Sequence, residues 1–349
     1  MKEGYRLLGD FIQPVDERNR DLRVDYLLGV SISKQFIPSI ANIVGTDLSN
    51  YKIVRTGQFA YGPVTSRNGE KISIALLRDK DCIISSSYTV FEVVNKNELD
   101  SEYIMLWFSR PEFDRYARYM SHGSVREIFD WDELCKVELP VPSIDKQRSI
   151  VRAYQTITER IELKRRINDN LEAVLAASHS KMFFSKDTSE HSKLGELMTF
   201  GNGKSRPKTD GTIPVYGGNG VLSYTDQHNI ENAVLIGRVG AYCGSVYLEQ
   251  GICWVSDNAI FAKSKIAKDE FFDYFLLKRL NLFNHHVGTG QQLLTQEILN
   301  NIEVPKPVTE QIELFNRKAA SVFGTIFTNS REIIRLQELS DLLLSRLSG

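Results

Sequence analysis

The chain is an internal duplication, and this limits its fold more than any motif it contains. Val137-Glu138-Leu139-Pro140-Val141-Pro142 returns 165 residues later as Ile302-Glu303-Val304-Pro305-Lys306-Pro307. Just upstream, Gly123-Ser124-Val125-Arg126-Glu127-Ile128-Phe129 returns at the same offset as Gly288-Thr289-Gly290-Gln291-Gln292-Leu293-Leu294. Downstream, Ile144-Asp145-Lys146-Gln147 matches Val308-Thr309-Glu310-Gln311, one residue out of step. Leu8-Gly9-Asp10 resembles Leu194-Gly195-Glu196, and Cys82-Ile83-Ile84-Ser85 resembles Cys253-Trp254-Val255-Ser256. Two copies this long are two structural units. A solenoid needs shorter and more numerous repeats.

Each copy has the same internal order. A β-rich globular part leads into a Gly-(Ser/Thr) loop, then a short apolar strand ending in prolines, then a long helix. Asp81–Ile84, Thr89–Val94, Ala233–Gly237 and Ala259–Phe261 read as strands, being β-branched or apolar. Tyr103–Phe108, behind Asp100 and Glu102, reads as a helix, and Asp269–Leu276 parallels it. The globular parts are therefore α/β or α+β. The expected boundaries are residues 1–143 for the first globular domain, 144–184 for the first long helix and 185–192 for a polar linker. Residues 193–307 form the second domain and 308–349 the second helix.

The two helical segments carry apolar residues at alternating steps of four and three. One seam runs Ile150, Tyr154, Ile157, Ile161, Lys164, Asn168, Leu171, Leu175, Ser178, Met182. The other runs Phe315, Ala319, Val322, Ile326, Asn329, Ile333, Leu336, Ser340, Leu343, Leu347. This is coiled-coil spacing, and a long helix needs a partner for such a stripe, either its own domain or, as the repeat favours, the other helix. A repeat-preserving antiparallel pairing sets Ile150 opposite Leu347, Met182 opposite Phe315, and Asn168 opposite Asn329 in mid-seam. Paired amides there would fix register; the bland alternative turns each Asn to water. The seam is roughly 50 Å long at about 1.5 Å per residue.

Charge and motifs narrow the function. Lysine and arginine total 43 against 44 aspartates and glutamates, so bulk charge does not coat nucleic acid. Local basic loops remain possible grips. Gly201-Asn202-Gly203-Lys204-Ser205-Arg206-Pro207-Lys208 has three cations and no acid, and two glycines that suit close approach to phosphates. Its Gly203-Lys204-Ser205 imitates the end of a P-loop, but Met198 stands where the first glycine belongs. The repeat-equivalent loops place Ser124 and Arg126 in one copy and Gln291 and Gln292 in the other. Arginine can take guanine bidentately and glutamine adenine. Thr65, Ser66 and Arg67 lie in a turn-rich stretch with the same two readings, base contact or plain solvated turn. Arg55 and Arg238 are further candidates, equally readable as surface ion pairs.

The four cysteines form no C-x-x-C pair, and His285-His286 has no third ligand at metal spacing. There is no Pro-Pro pair for an adenine-methyltransferase motif, no complete Walker A, no H-E-x-x-H and no G-x-S-x-G. Neither a signal peptide nor an apolar run long enough for a membrane span is read, so a cytoplasmic protein is expected.

Two variable β-rich domains, each followed by a Pro-rich strand end, a Gln and a long helix, resemble the specificity subunit of type I restriction-modification systems. The blocks Leu139–Gln147 and Val304–Gln311 carry the resemblance, and it covers essentially the whole chain. Ser143 and Lys146 depart from residues that are often Pro and Glu there. The resemblance implies two target recognition domains related by pseudo-two-fold symmetry and separated by two antiparallel coiled-coil helices. It implies a non-catalytic subunit that binds double-stranded DNA, two methyltransferase subunits and, in the full complex, restriction subunits. S-adenosylmethionine, ATP and Mg²⁺ would then bind the partners, with no cofactor and no metal on this chain. The alternatives are a two-domain interaction scaffold without DNA specificity and an enzyme with a dispersed site.

Overall fold

A computed structural model describes residues 4–39, 45–66, 68–123, 127–185, 190–288 and 290–348. The chain divides into two compact units, residues 1–163 with 333–349 and residues 164–332.

The first unit is built on a four-stranded antiparallel sheet. Its order is Ile12–Val15, Thr89–Val93, Phe59–Tyr61 and Ile74–Leu76. Strand residues alternate between faces. Phe59, Tyr61, Ile74, Leu76, Phe91 and Val93 therefore enter one apolar cluster, and Ala60, Ala75 and Val90 enter another. With both faces covered, the strands Phe59–Tyr61 and Ile74–Leu76 are apolar and buried throughout rather than alternating. On the first face lie the helices Ser101–Phe108 and Pro111–Tyr119. Phe59 stacks on Phe91 at 4.8 Å, and Phe108 meets both rings edge-on. The helix start is legible: the Asp100 carboxylate accepts from the amides of Glu102 and Tyr103. On the second face lie the two-stranded pairs Leu28–Val30 with Phe36–Pro38 and Lys52–Val54 with Cys82–Ile84.

The second unit repeats this plan and extends it. Met198–Asn202, Ala259–Ser264, Ile230–Gly237 and Val246–Val255 pair in the same order as the four strands of the first unit. The hairpin Ile213–Gly217 and Gly220–Thr225 continues the sheet, joined by one parallel pairing to Val246–Val255. Val234 and Ile236 face one cluster, Ala233 and Leu235 the other. The helix Phe271–Arg279 packs on the larger cluster through Phe271, Phe272 and Phe275. The duplication is also visible in two short antiparallel pairs, Tyr5–Leu7 with Glu138–Pro140 and His191–Lys193 with Glu303–Pro305. Two short helices absent from the sequence reading, Trp131–Cys135 and Gln296–Asn301, precede those proline-ended strands.

The long helices are Ile144–Phe184 and Thr309–Ser345. In the first unit, Ile150, Val151 and Tyr154 pack in one cluster with Leu344 and Leu347. In the second, Leu175, Met182 and Phe183 share a cluster with Ile312, Phe315 and Ala319. The start of each helix thus meets the end of the other, which makes the pair antiparallel. Within the second unit the Asn329 amide donates to Asn168 Oδ1 at 2.9 Å. Lys164 Nζ donates to Asn329 Oδ1 at 2.9 Å and pairs with Glu332 at 2.8 Å.

Cys82, Cys243 and Cys253 are buried, and all four cysteines are unbridged. Burial pushes the Cys82 and Cys253 thiols up to about 12, which suppresses thiolate chemistry. Among the described residues no helix is long and apolar enough to cross a membrane, and no group of three His, Cys, Asp or Glu is placed to hold a metal.

Candidate nucleic-acid interface

In the second unit four segments are tied together at one end of the sheet. The strand Met198–Asn202 runs two residues further into the basic segment than the sequence suggests, so Gly201 and Asn202 are strand and not loop. Its glycines serve packing rather than phosphate approach. A Cβ on Gly201 would sit 2.1 Å from the Phe261 ring, and one on Gly203 would sit 1.9 Å from the Ser256 carbonyl. Lys204 is then pinned through its backbone: its amide donates to the Val255 carbonyl at 3.0 Å, and its carbonyl accepts from the Trp254 indole at 3.4 Å. Beyond this anchor the side chains of Lys204, Ser205, Arg206 and Lys208 are exposed. Among the described residues none of these three cations has an acidic partner.

Arg238 ends the strand Ile230–Gly237 against the turn that follows Val255. Its amide donates to the Asn258 carbonyl at 3.0 Å, and its Nη1 reaches the Asp257 carbonyl at 3.4 Å. Its Nε is buried without a hydrogen-bond partner. The backbone is thus anchored at Asn258, and the guanidinium makes one bond, to the Asp257 carbonyl. The Arg238 carbonyl accepts from Leu294 at 2.9 Å, and the Gly240 amide donates to the Gln292 carbonyl at 3.0 Å. These bonds dock the loop that carries Gln291 and Gln292. That loop is pinched shut by reciprocal bonds between Val287 and Leu293, both at 2.9 Å. It turns on Gly288 at φ +94°, where any Cβ would meet the Gln291 carbonyl at 2.4 Å. Gln291 is exposed and Gln292 half-buried.

The first unit has a counterpart. His122 and Ile128 exchange the same reciprocal bonds, at 3.1 and 2.9 Å, around Gly123 at φ +140°. Val64 bridges Ile128 as Val239 bridges Leu293. Ser124, Arg126 and Arg67 lie outside the described residues. Ser66 is exposed, beside them in sequence. Thr65 is not available as a reader: it is 2% exposed, and its amide and hydroxyl both donate to the Glu127 carbonyl, tying one loop to the other. Arg55 is occupied as well. It pairs with Glu17 and with Asp81, the latter at 2.7 Å, and these carboxylates raise its already high pKa. Its role is to brace the turn after Lys52–Val54.

Sequence reading overlooked two exposed aromatics at these loops. Tyr119, 83% exposed, ends the helix just before His122, and Tyr242, 49% exposed, follows Gly240. Both could have been flagged as aromatic residues beside a turn glycine or a basic loop, a pattern suited to stacking or groove contact.

One end of the second unit thus carries a cation-bearing loop, Arg238 and a glutamine loop, on a β-rich unit whose plan occurs twice. The model of the type I restriction modification DNA specificity domain matches twice, over residues 35–173 and 186–339. The chain belongs to that family. A relative from Methanocaldococcus jannaschii, the type I restriction enzyme MjaIX specificity subunit, is 20% identical over 305 residues, 73% of this chain and 70% of that protein. The EcoprrI specificity subunit from Escherichia coli is 24% identical over 154 residues, 41% of this chain and 38% of that one. The crystal structure of the S subunit of a type I restriction-modification system from M. genitalium shares the fold. Its TM-score is 0.64 at 15% identity, covering 99% of this chain and 96% of that one. As a specificity subunit the chain is a DNA-binding, non-catalytic component.

Proposed function

We propose that this specificity subunit reads a bipartite duplex site, residues 1–143 taking one half and residues 193–307 the other. The observation that carries this reading is the pair of equivalent loops, closed by His122–Ile128 and Val287–Leu293, with different residues in the sequence between the closing pairs. The same scaffold with different chemistry gives two different base preferences. Lys204, Arg206 and Lys208 hold phosphates, with Ser205 beside them. Arg238, Gln291 and Gln292 face bases in one half-site; Ser66, Arg67, Ser124 and Arg126 do so in the other. The subunit delivers two methyltransferase subunits, and in the full complex the restriction subunits, to that site in the cytoplasm. S-adenosylmethionine, ATP and Mg²⁺ are used on those partners.

The test is a domain exchange read by methylome sequencing. Replacing residues 193–307 with the equivalent part of a relative should change one half of the methylated motif and leave the other. A change in both halves would overturn the division.

A further inference from the structure

The first unit contains a cavity of about 480 Å³ beside the short pair Tyr5–Leu7 and Glu138–Pro140, a size typical of small-molecule sites. Tyr5, Trp107, Phe113, Tyr116 and Val137 line it. Arg110 also lines it and is only 4% exposed. Its guanidinium lies over the Trp107 ring at 4.2 Å. A buried cation ordinarily has a close, hydrogen-bonded carboxylate, and Arg110 has only a long ion pair, Glu112 at 3.5 Å from its Nε. The Arg110 Nε has no hydrogen-bond partner. Among the described residues its ion-pair partner is Glu112, through Oε2, and the other oxygen of that carboxylate pairs with Arg115 at 3.1 Å. Desolvation lowers the Arg110 pKa, as expected for a cation whose counter-charge is incomplete.

We propose that this cavity binds a planar monocarboxylate, an apolar or aromatic body carrying one carboxylate, with one site per chain. This goes beyond reading DNA. The aromatic walls take the body, and the guanidinium takes the carboxylate as a charge-assisted pair. A single negative charge fits better than a phosphate. Glu112 and Glu138 both line the cavity. The second cation, Lys136, already pairs with Glu133 at 2.7 Å. The second repeat lacks the feature. Counted from the helix caps Asp100 and Glu270, the place of Arg110 is taken by Leu280, which packs against the apolar cluster. The carboxylate comes from a free small molecule or from a side chain of an adjoining subunit.

Fluorine NMR titration of the full chain tests this, with 4-fluorobenzoate as the probe and 4-fluorobenzamide and 4-fluorophenyl phosphate as controls. The expected result is saturable one-to-one benzoate binding, tighter than either control. Arg110→Met should weaken it about tenfold or more, since it removes the charge-assisted pair. Glu112→Gln, which keeps the shape and removes the competing charge, should tighten it several-fold. Equal binding of the benzamide, tighter binding of the phosphate, benzoate binding unmoved by both substitutions, or no binding to the folded chain would each overturn the proposal. Repeating the titration on the complex with methyltransferase subunits identifies the source. A retained site takes a free molecule, and a site lost on assembly is filled by a neighbour's carboxylate; either supports the assignment.

Discussion

Outward-facing side chains at the loop end of the second unit fall into two kinds, and substitution separates them. Lys204 is a cation with no acidic partner among the described residues, on a pinned backbone. Lys204→Ala should weaken DNA binding of the assembled complex about equally on all sequences and reduce the salt slope by about 1, in a filter-binding series over salt. Gln291 is exposed at the tip of a loop whose backbone is closed by Val287 and Leu293. Gln291→Ala should instead relax the motif at one position, a discrimination of about 1–3 kcal/mol in competition binding. Two buried groups of the second unit oppose each other in acid. His179, 1% exposed among Phe183, Phe184, Phe272, Phe275 and Phe315, has its pKa lowered to about 4, mainly by burial. A base depressed on folding stabilises above its unfolded value of 6.5 and loses that contribution as pH falls towards 4. Asp273, 2% exposed, is raised to about 7 by burial, with Glu270 adding repulsion. It stabilises below 3.8 and loses that contribution as pH rises towards 7. The two slopes offset between pH 4 and 6.5. Denaturant melts should therefore show stability falling with rising pH in His179→Phe and rising more steeply in Asp273→Asn than in the parent.

At the scale of elements, the polar layer in the long-helix pair is a knot rather than a pair. Asn329, 7% exposed, serves both Asn168 and Lys164. Asn329→Leu should cost about 1–3 kcal/mol in urea unfolding, because two half-buried partners lose a bond. The combination Lys164→Leu, Asn168→Leu and Asn329→Leu should recover that loss and blur the register. The same elements show what a sequence can disclose. The helix at Ser101 is legible because its cap, Asp100, is a local rule written in adjacent residues. The seam is legible because its period is long and regular. The amide that clamps each globular domain to its long helix is not. Gln147, fully buried, donates to the Glu98 and Pro142 carbonyls and accepts from the Asp100 amide at 2.9 Å. Sequence alignment matches it to Gln311, which is exposed. In the second copy the work passes to Asn316, which donates to the Asp269 carbonyl at 2.7 Å and accepts from Phe272 at 2.8 Å. A shorter side chain from a later turn reaches the same place, and only tertiary geometry reveals it. The packing role of the glycines in the basic segment is hidden for a similar reason, since what they avoid, Phe261 and Ser256, is remote in sequence.

For the whole molecule, both long helices contribute to both units, with the division at residues 163 and 333. Inserting one heptad, about 7 residues, into each helix there keeps the seam in phase. At about 1.5 Å per residue it adds roughly 10 Å, or about three base-pair steps of 3.4 Å. Methylome sequencing should then return unchanged half-sites with a gap longer by about three pairs. An unchanged gap would remove the helices as the ruler. The division has a second consequence, for synthesis. The core of the first unit is closed by Leu344 and Leu347 against Val151 and Leu139. The ribosome must make all of residues 164–332 before those leucines emerge, so the unit that starts first cannot finish first. Until then Val151 and its neighbours stand open to solvent, and a nascent chain stalled in the second unit is a natural client for chaperones.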